Sequence, residues 1–251
     1  MPTGKLRDLW SLGMIVNVDG KAIEWVAGTY LSQDKIAMQE IWDGVDQHSL
    51  NQEEFGLPSR LIAKKFIFRK IFGGTAYSYA HDPDFTDVSS SEKFWQRVID
   101  KSDEKYIGWY KWWIRLIQEA TTTGKVVNHA TKRTYEYTPK ISNGESKWPE
   151  TTIKNYIVQG TAADLMSIAR VSFFKRFKES KVDGVLVNTV HDSIVVDCAN
   201  NEVERVAKMF YEVFEDIPTN FEKIFGVPFN LPTRAEVSVG KNMKELEEIK
   251  L

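Results

Sequence analysis

The stretch from Gly184 to Cys198, GVLVNTVHDSIVVDC, constrains the fold of this chain more than any other. Two runs rich in β-branched residues flank His191-Asp192-Ser193, which reads as a hairpin with polar groups at its tip. Far upstream, Met14 to Val18 (MIVNV) has the same strand character and stops at the turn pair Asp19-Gly20. Alternation places Val16 and Val18 on one face of that strand and Ile15, Asn17 and Asp19 on the other. Between these strand signals the periodicity is helical, over Ala37 to Trp42 and over Arg60 to Phe72, where Gly73-Gly74 supplies the stop. A further helix is expected from Phe94 to Glu119, with Trp109, Trp113 and Leu116 in the core. Thr131 to Pro149 reads as a hairpin and loop. Gly160 to Phe177 is a strongly amphipathic helix preceded by Asn155 and Gln159. After the hairpin, Glu202 to Glu215 repeats apolar residues at Val203, Val206, Phe210 and Val213-Phe214. Two strands followed by a helix give an α+β class rather than a doubly wound sheet.

A chain of 251 residues suits one large domain or two interleaved ones. No apolar run approaches the roughly 18 residues of a membrane span, and MPTGKLRDLW lacks the apolar centre of a signal peptide. Cys198 is the only cysteine, which excludes an internal disulfide and a Cys-rich zinc site and makes a reducing cytoplasm the expected compartment, the host's if the protein is viral. The net charge of −2 gives no general pull toward nucleic acid, so local charge matters more. Arg60, Lys64, Lys65, Arg69 and Lys70 crowd a short stretch without an acid, which suggests one anionic ligand at one place.

The two strand ends carry carboxylates. If the strands are neighbours, Asp19 and Asp192 converge at one sheet edge, an arrangement that holds two divalent cations roughly 3.5–4 Å apart for phosphoryl transfer. Magnesium suits such a site because it takes few carboxylates and completes its shell with phosphate oxygens and water. Asp-Gly and His-Asp-Ser are also ordinary turn sequences, and spacing alone leaves both readings open.

In the helix SRLIAKKFIFRKIFGG, the residues Arg60, Lys64, Phe68 and Phe72 recur every fourth position. Each step shifts about 40° round the axis, so they form a winding stripe about 18 Å long, near the length of an extended nucleoside triphosphate. Cations at one end suit phosphates and aromatics at the other suit a base. Ile62, Ala63 and Phe66 lie on the opposite side and are expected to pack inward.

VDGKAIEW, Arg60-x3-Lys64-x3-Phe68-x3-Phe72-Gly73, QGTAAD and VHDS, in this order, resemble the polymerase motifs of family A DNA polymerases, the bacterial DNA polymerase I type and especially its bacteriophage members. The resemblance runs from about Lys5 to Leu246. It implies a polymerase palm, an antiparallel sheet with helices spanning 1–32 and 150–251, with inserted helical fingers over 33–149 and the thumb absent. It implies that Asp19 and Asp192 are the catalytic carboxylates binding two magnesium ions, and that Glu24 stands against the sugar edge of the incoming nucleotide and selects deoxyribose. Arg60, Lys64, Phe68, Phe72 and His48 become nucleotide-binding residues, His48 because DQHSLNQ falls where members place a histidine near the triphosphate. Asn155 and Gln159 become minor-groove readers, since the N3 and O2 acceptors there report pair geometry rather than sequence. His191 is expected at the primer terminus. Tyr77 and Tyr79 fall where family aromatics lie near the template, and core packing accounts for them equally well. The family helix swings toward the palm on correct pairing, which couples base-pair fit to assembly of the site.

Departures from the family pattern carry their own expectations. Gly20, Lys21 and Val26 replace the usual Tyr, Ser and Arg of the first motif. Ser193 stands where the third motif usually has Glu. Phe72 stands for a more common Tyr and removes one hydroxyl, which predicts discrimination against dideoxynucleotides. Only eighteen residues precede Asp19, so the expected activity is that of a template-directed DNA polymerase core, the C-terminal part of a split polymerase. Its substrates would be deoxynucleoside triphosphates and primer-template DNA, and a separate polypeptide would bring the thumb, with or without a 3′-5′ exonuclease. A phage-type single-subunit RNA polymerase and an inactive palm serving as a scaffold for another replication protein are the competing readings.

Overall fold

A computed structural model of the chain describes residues 13–142 and 145–249. The expected palm start at Met1 and the start of the family resemblance at Lys5 lie outside the described residues. The elements are β1 (Met14–Gly20), α1 (Ile23–Ser32), α2 (Lys35–Asp43), α3 (Gln47–Phe55), α4 (Arg60–Ile71), α5 (Ala76–Ala80), α6 (Pro83–Thr86), α7 (Glu92–Lys105) and α8 (Ile107–Thr123). They continue as β2 (Lys125–Val127), β3 (Thr134–Glu136), β4 (Lys140–Ser142), β5 (Glu145–Lys147), α9 (Glu150–Ser180), β6 (Gly184–Val190), β7 (Ser193–Cys198), α10 (Val203–Glu215), α11 (Ile217–Phe225), β8 (Ala235–Gly240) and β9 (Glu247–Ile249). The chain divides into two compact units, one built from the described residues up to Val26 and from Thr161 onward, the other from Ala27–Gly160. The divisions fall inside α1 and α9.

The first unit is a sheet in the order β6-β7-β1-β8-β9 with every neighbour antiparallel. β1 is central and buried on both faces, with Ile15, Val16 and Val18 at 1% exposure or less. That explains why its sequence is a nearly unbroken apolar run. α10 crosses β1 and β8, and its buried stripe Val206, Phe210, Val213 and Phe214 faces an apolar interior. Phe210 stacks on Phe173 of α9 with ring centroids 3.9 Å apart. The α+β class read from the sequence is therefore the observed one.

The second unit is helical with two small hairpins, β2-β3 and β4-β5. Its α4 is held by an aromatic cluster. Phe66 lies 5.1 Å from Tyr79, 5.9 Å from Phe55 and 6.2 Å from Trp95 between ring centroids, and the Tyr79 hydroxyl donates to the Phe66 carbonyl at 2.9 Å. Tyr79 is thus a core residue. Charges also enter this interior. Lys105 bonds Glu40 at 2.9 Å, Glu54 at 2.7 Å and Asn51 at 2.9 Å, while the Tyr106 hydroxyl reaches Glu40 at 2.8 Å and Asn51 at 2.9 Å. Buried Asp34 caps α2 through Ala37 N at 2.9 Å and accepts from Gly108 N at the start of α8 at 2.7 Å.

Two helix readings need correction. The single helix expected over Phe94–Glu119 is two, because Tyr106 (φ −101°, ψ 56°) leaves the helical region and lets α8 begin under the Asp34 cap. Trp109, Trp113 and Leu116 are buried as expected. The helix expected to start at Gly160 begins ten residues earlier at Glu150 and contains Asn155 and Gln159. Gly160 resembles a helix boundary in sequence, yet it sits mid-helix because the Tyr135 hydroxyl of β3 occupies the space a Cβ would need.

Candidate functional site

Within the sheet unit, strand pairing brings the two carboxylates together. Asp19 pairs with Ser193 of β7, and the Gly20 amide donates to the Asp192 carbonyl at 3.0 Å. The tight β6-β7 turn puts His191 at φ 51°, a left-handed conformation unusual outside glycine, and leaves His191 exposed beside half-buried Asp192. Asn17, on the same strand face as Asp19, donates from Nδ2 to Asp19 Oδ2 at 2.7 Å. Burial pushes the Asp19 carboxyl above its ordinary range; the Asn17 bond pulls it back, and the charges of Asp192 and Glu236 push it up again. Glu24, in the first turn of α1, is also raised, by burial first and then by Asp192, with His191 acting in the opposite direction. Negative charge is thus concentrated and partly desolvated at one sheet edge, which favours a cation.

Magnesium fits the donors present. Among the described residues no group of three or more His, Cys, Asp or Glu forms a closed metal cage. Two hard carboxylates with room for other oxygens suit an ion that keeps much of its shell for water and phosphate. Glu236 escaped the sequence reading. It lies on β8 directly across from Asp19 and pairs with Lys21 at 3.6 Å. Only the β1-β8 register reveals it. Asn17 was legible, since alternation alone puts it beside Asp19.

Within the helical unit, α3 and α4 gather a second cluster. Ser59 caps α4 by accepting from Ile62 N at 3.2 Å, and the inner face of the helix buries Ala63, Phe66, Ile67 and Ile71, with Ile62 half-buried. The outer stripe carries exposed Arg60 and Lys64 and half-buried Phe68 and Phe72. Lys64 Nζ lies 5.9 Å from the centre of the Phe68 ring, and His48 of α3 lies 6.2 Å from the same ring. His48 is buried, and its Nδ1 has no hydrogen-bond partner among the described residues. Burial, then the Arg60 charge, drive the imidazole down to about 4 against the pull of Asp46, with Lys64 adding to the depression. A neutral imidazole beside two cations can give or take a hydrogen bond near neutral pH without adding charge.

The basic stretch is less basic in three dimensions. Arg60 bonds Asp46, Lys65 bonds Asp84 at 2.7 Å, Arg69 bonds Asp82, and nearly buried Lys70 bonds Asp103 at 2.5 Å. Of these five cations only Lys64 has no carboxylate within ion-pair distance among the described residues. The acids lie 13 to 33 residues away in sequence, outside any local window. Gly73 ends α4 at φ 82°, and a Cβ there would meet Thr151 of α9 at 2.7 Å, so the glycine serves both turn and packing. Tyr77 is 62% exposed and stacks on His81 with centroids 4.1 Å apart. Asn155 and Gln159 stand one turn apart on α9, Gln159 exposed and Asn155 half-buried with no hydrogen-bond partner for its Oδ1 among the described residues.

Residues 10–245 match the family described as DNA polymerase family A. The chain belongs to DNA polymerase family A. Among its relatives within the family, it is 27% identical over 246 residues to the thermostable DNA polymerase I of Thermus filiformis, covering 94% of this chain and 27% of that protein. To DNA polymerase I of Geobacillus stearothermophilus it is 24% identical over 216 residues, covering 82% of this chain and 24% of the relative. The DNA polymerase of Bacillus phage SP01 is 26% identical over 195 residues, covering 76% of this chain and 21% of the phage protein. A solved structure described as the POL domain of Pol1 from M. smegmatis in complex with DNA primer-template and dNTP shares the fold, with a TM-score of 0.71 at 16% identity over 94% of this chain and 41% of that one. This family A chain therefore spans about a quarter of the length of the polymerase I relatives it matches. No helix among its described residues is long and apolar enough to cross a membrane.

Proposed function

We propose that this family A chain is the catalytic core of a template-directed DNA polymerase, adding deoxynucleotides to a primer 3′ end. The observation that carries the reading is the convergence of Asp19 and Asp192 through the β1-β7 pairing. Two magnesium ions bound there would activate the primer hydroxyl and offset charge on the leaving pyrophosphate. Asp19 and Asp192 supply the anionic oxygens, and Asn17 fixes the Asp19 rotamer. His191 meets the primer terminus and Glu24 excludes a 2′-hydroxyl. In the helical unit Arg60, Lys64 and His48 bind the triphosphate, while Phe68 and Phe72 flank the base. Asn155 and Gln159 read the minor groove and Tyr77 touches the template. The palm comprises 1–32 and 150–251 and the fingers 33–149.

A separate polypeptide supplying the thumb, with or without a 3′-5′ exonuclease, is part of the proposal. The test is primer extension with magnesium, with and without candidate partner fragments, offering each nucleotide type in turn. Deoxynucleotide incorporation that disappears in Asp192→Asn is expected, together with poor use of dideoxynucleotides that Phe72→Tyr relieves. Preference for ribonucleotides would favour an RNA polymerase, and extension unchanged by Asp192→Asn would favour a scaffold. Processivity independent of any partner would remove the split arrangement.

A further inference from the structure

Asp46 meets more donors than a helix cap requires. Its Oδ1 accepts from His48 N at 3.1 Å and from Arg60 Nη2 at 3.1 Å, and its Oδ2 accepts from Ser49 Oγ at 2.8 Å and from Arg60 Nε at 2.5 Å. An ionised carboxylate has about four acceptor sites, so this one is saturated. Its carbonyl also receives Ser49 N and Leu50 N, which places it firmly at the start of α3. An exposed Arg-carboxylate pair normally contributes little because both side chains must be ordered to form it. Here one partner is already ordered by the helix end, and the Arg60 fork docks on it through two parallel bonds that fix the plane of the guanidinium. The Arg60 side chain nevertheless remains 55% exposed.

We propose that Asp46 is a positioning residue for nucleotide binding: it holds the Arg60 guanidinium in register with His48 so that the two present a pre-ordered phosphate-binding pair. The same carboxylate bonds the residue that carries the imidazole and the cation beside it, so α3 and α4 cannot shift relative to each other at this point without breaking the fork. Pre-ordering removes the cost of immobilising a long side chain when the ligand arrives. This inference rests on the reading of Arg60 and His48 as triphosphate-binding residues.

The test is a double-mutant cycle on the full chain, measuring the affinity of a deoxynucleoside triphosphate with magnesium by titration calorimetry. Asp46→Asn retains a good N-cap but turns an amide toward the guanidinium, so the α3 cap survives while the fork is lost. Affinity is expected to fall about tenfold in Asp46→Asn, the scale of a lost charge-assisted bond, and to fall no further when Asp46→Asn is added to Arg60→Ala. Asp46→Glu, which restores the charge, is expected to recover part of the loss. Asp46→Ser, which also caps, serves as the second variant if Asp46→Asn does not fold. Equal losses in both backgrounds would mean the residue acts only on helix stability, and tighter binding in Asp46→Asn would make it a competitor for Arg60; either overturns the inference while leaving the triphosphate reading intact. Arg60→Ala binding as well as the unmodified chain, or an unmodified chain that binds no nucleotide, would sink that reading and this inference with it.

Discussion

The two units solve the problem of charge in opposite ways. The sheet unit gathers Asp19, Asp192 and Glu236 at its strand ends, where the charges of Asp192 and Glu236 raise the Asp19 carboxyl and, of the three, only Glu236 has a cation, Lys21 at 3.6 Å, within ion-pair distance among the described residues. The helical unit draws charges inward and pairs them, as in the Lys105-Glu40-Tyr106-Asn51 network and the Lys70-Asp103 pair. Uncompensated charge marks the place where a ligand must supply the missing sign. Charge compensated in the interior marks architecture.

The largest expected effect tests the uncompensated side. Asp19→Asn or Asp192→Asn should reduce primer extension more than about a hundredfold, the scale of losing one preorganised electrostatic group. Stability should move the other way for Asp19→Asn. The folded-state pKa of Asp19 is raised, so the unfolded chain gives up this proton more readily, and stability falls as pH rises through the interval between the two values. Removing the ionisable group should therefore raise the melting temperature at pH 7 in magnesium-free buffer, and magnesium should narrow the difference by stabilising the unsubstituted chain. A lower melting temperature in that buffer would mean Asp19 is a structural residue.

The compensated side predicts a loss of stability instead. Lys105→Met leaves Glu40 buried near a tyrosine hydroxyl without its cation, and should cost about 3–5 kcal/mol, the range for breaking a buried pair. Denaturant unfolding checks this. The comparison sharpens with Lys105→Met/Glu40→Met, which should recover much of the loss because no isolated charge remains.

How much of this was legible depended on the range of the interaction that decided it. The strands around Asp19 and Asp192 were readable because alternation and turn residues are local. The inner face of α4, with Ala63 and Phe66, was readable for the same reason. The break at Tyr106 was not, because the cap that permits it comes from Asp34, far away in sequence. Gly160 misled in the same manner, since its function is to admit Tyr135. The basic stretch over Arg60 to Lys70 exposed the limit most clearly: its acids arrive from other helices, and a run of five cations reduces to one without a carboxylate partner among the described residues. Glu236 belongs to this group as well, because only strand register brings it to Asp19.

A pH experiment separates the two kinds of charge further. His48 falls from an ordinary 6.5 to about 4 in the folded chain, so the unfolded state binds the extra proton between those values. Its contribution to stability is complete above about pH 6.5 and is lost as pH falls toward 4, on the order of 3 kcal/mol over the interval. Asp46 remains ionised in the folded chain across that window because Arg60 holds its pKa far below the ordinary range, and an unfolded aspartate takes up its proton only toward the bottom of the window. His48→Gln should flatten the dependence of unfolding free energy on pH between 6.5 and 4. An unchanged slope would assign the proton uptake to other groups.

The smallest effect on stability is the most discriminating for function. Lys64 and Lys65 are adjacent, equal in charge and both on α4, but Lys65 is paired with Asp84 at 2.7 Å while Lys64 leans over the Phe68 ring. Lys65→Ala removes an exposed ion pair and should cost between about 0 and 1 kcal/mol of stability. Lys64→Ala breaks no ion pair with a described carboxylate and should leave stability within about 0.5 kcal/mol. Nucleotide affinity should follow the reverse order, falling in Lys64→Ala and holding in Lys65→Ala, because the Lys65 ammonium would have to leave Asp84 to meet a phosphate, whereas Lys64 has no carboxylate to leave among the described residues. Equal affinities for the two variants would show that pairing within α4 has no bearing on which cation the ligand uses.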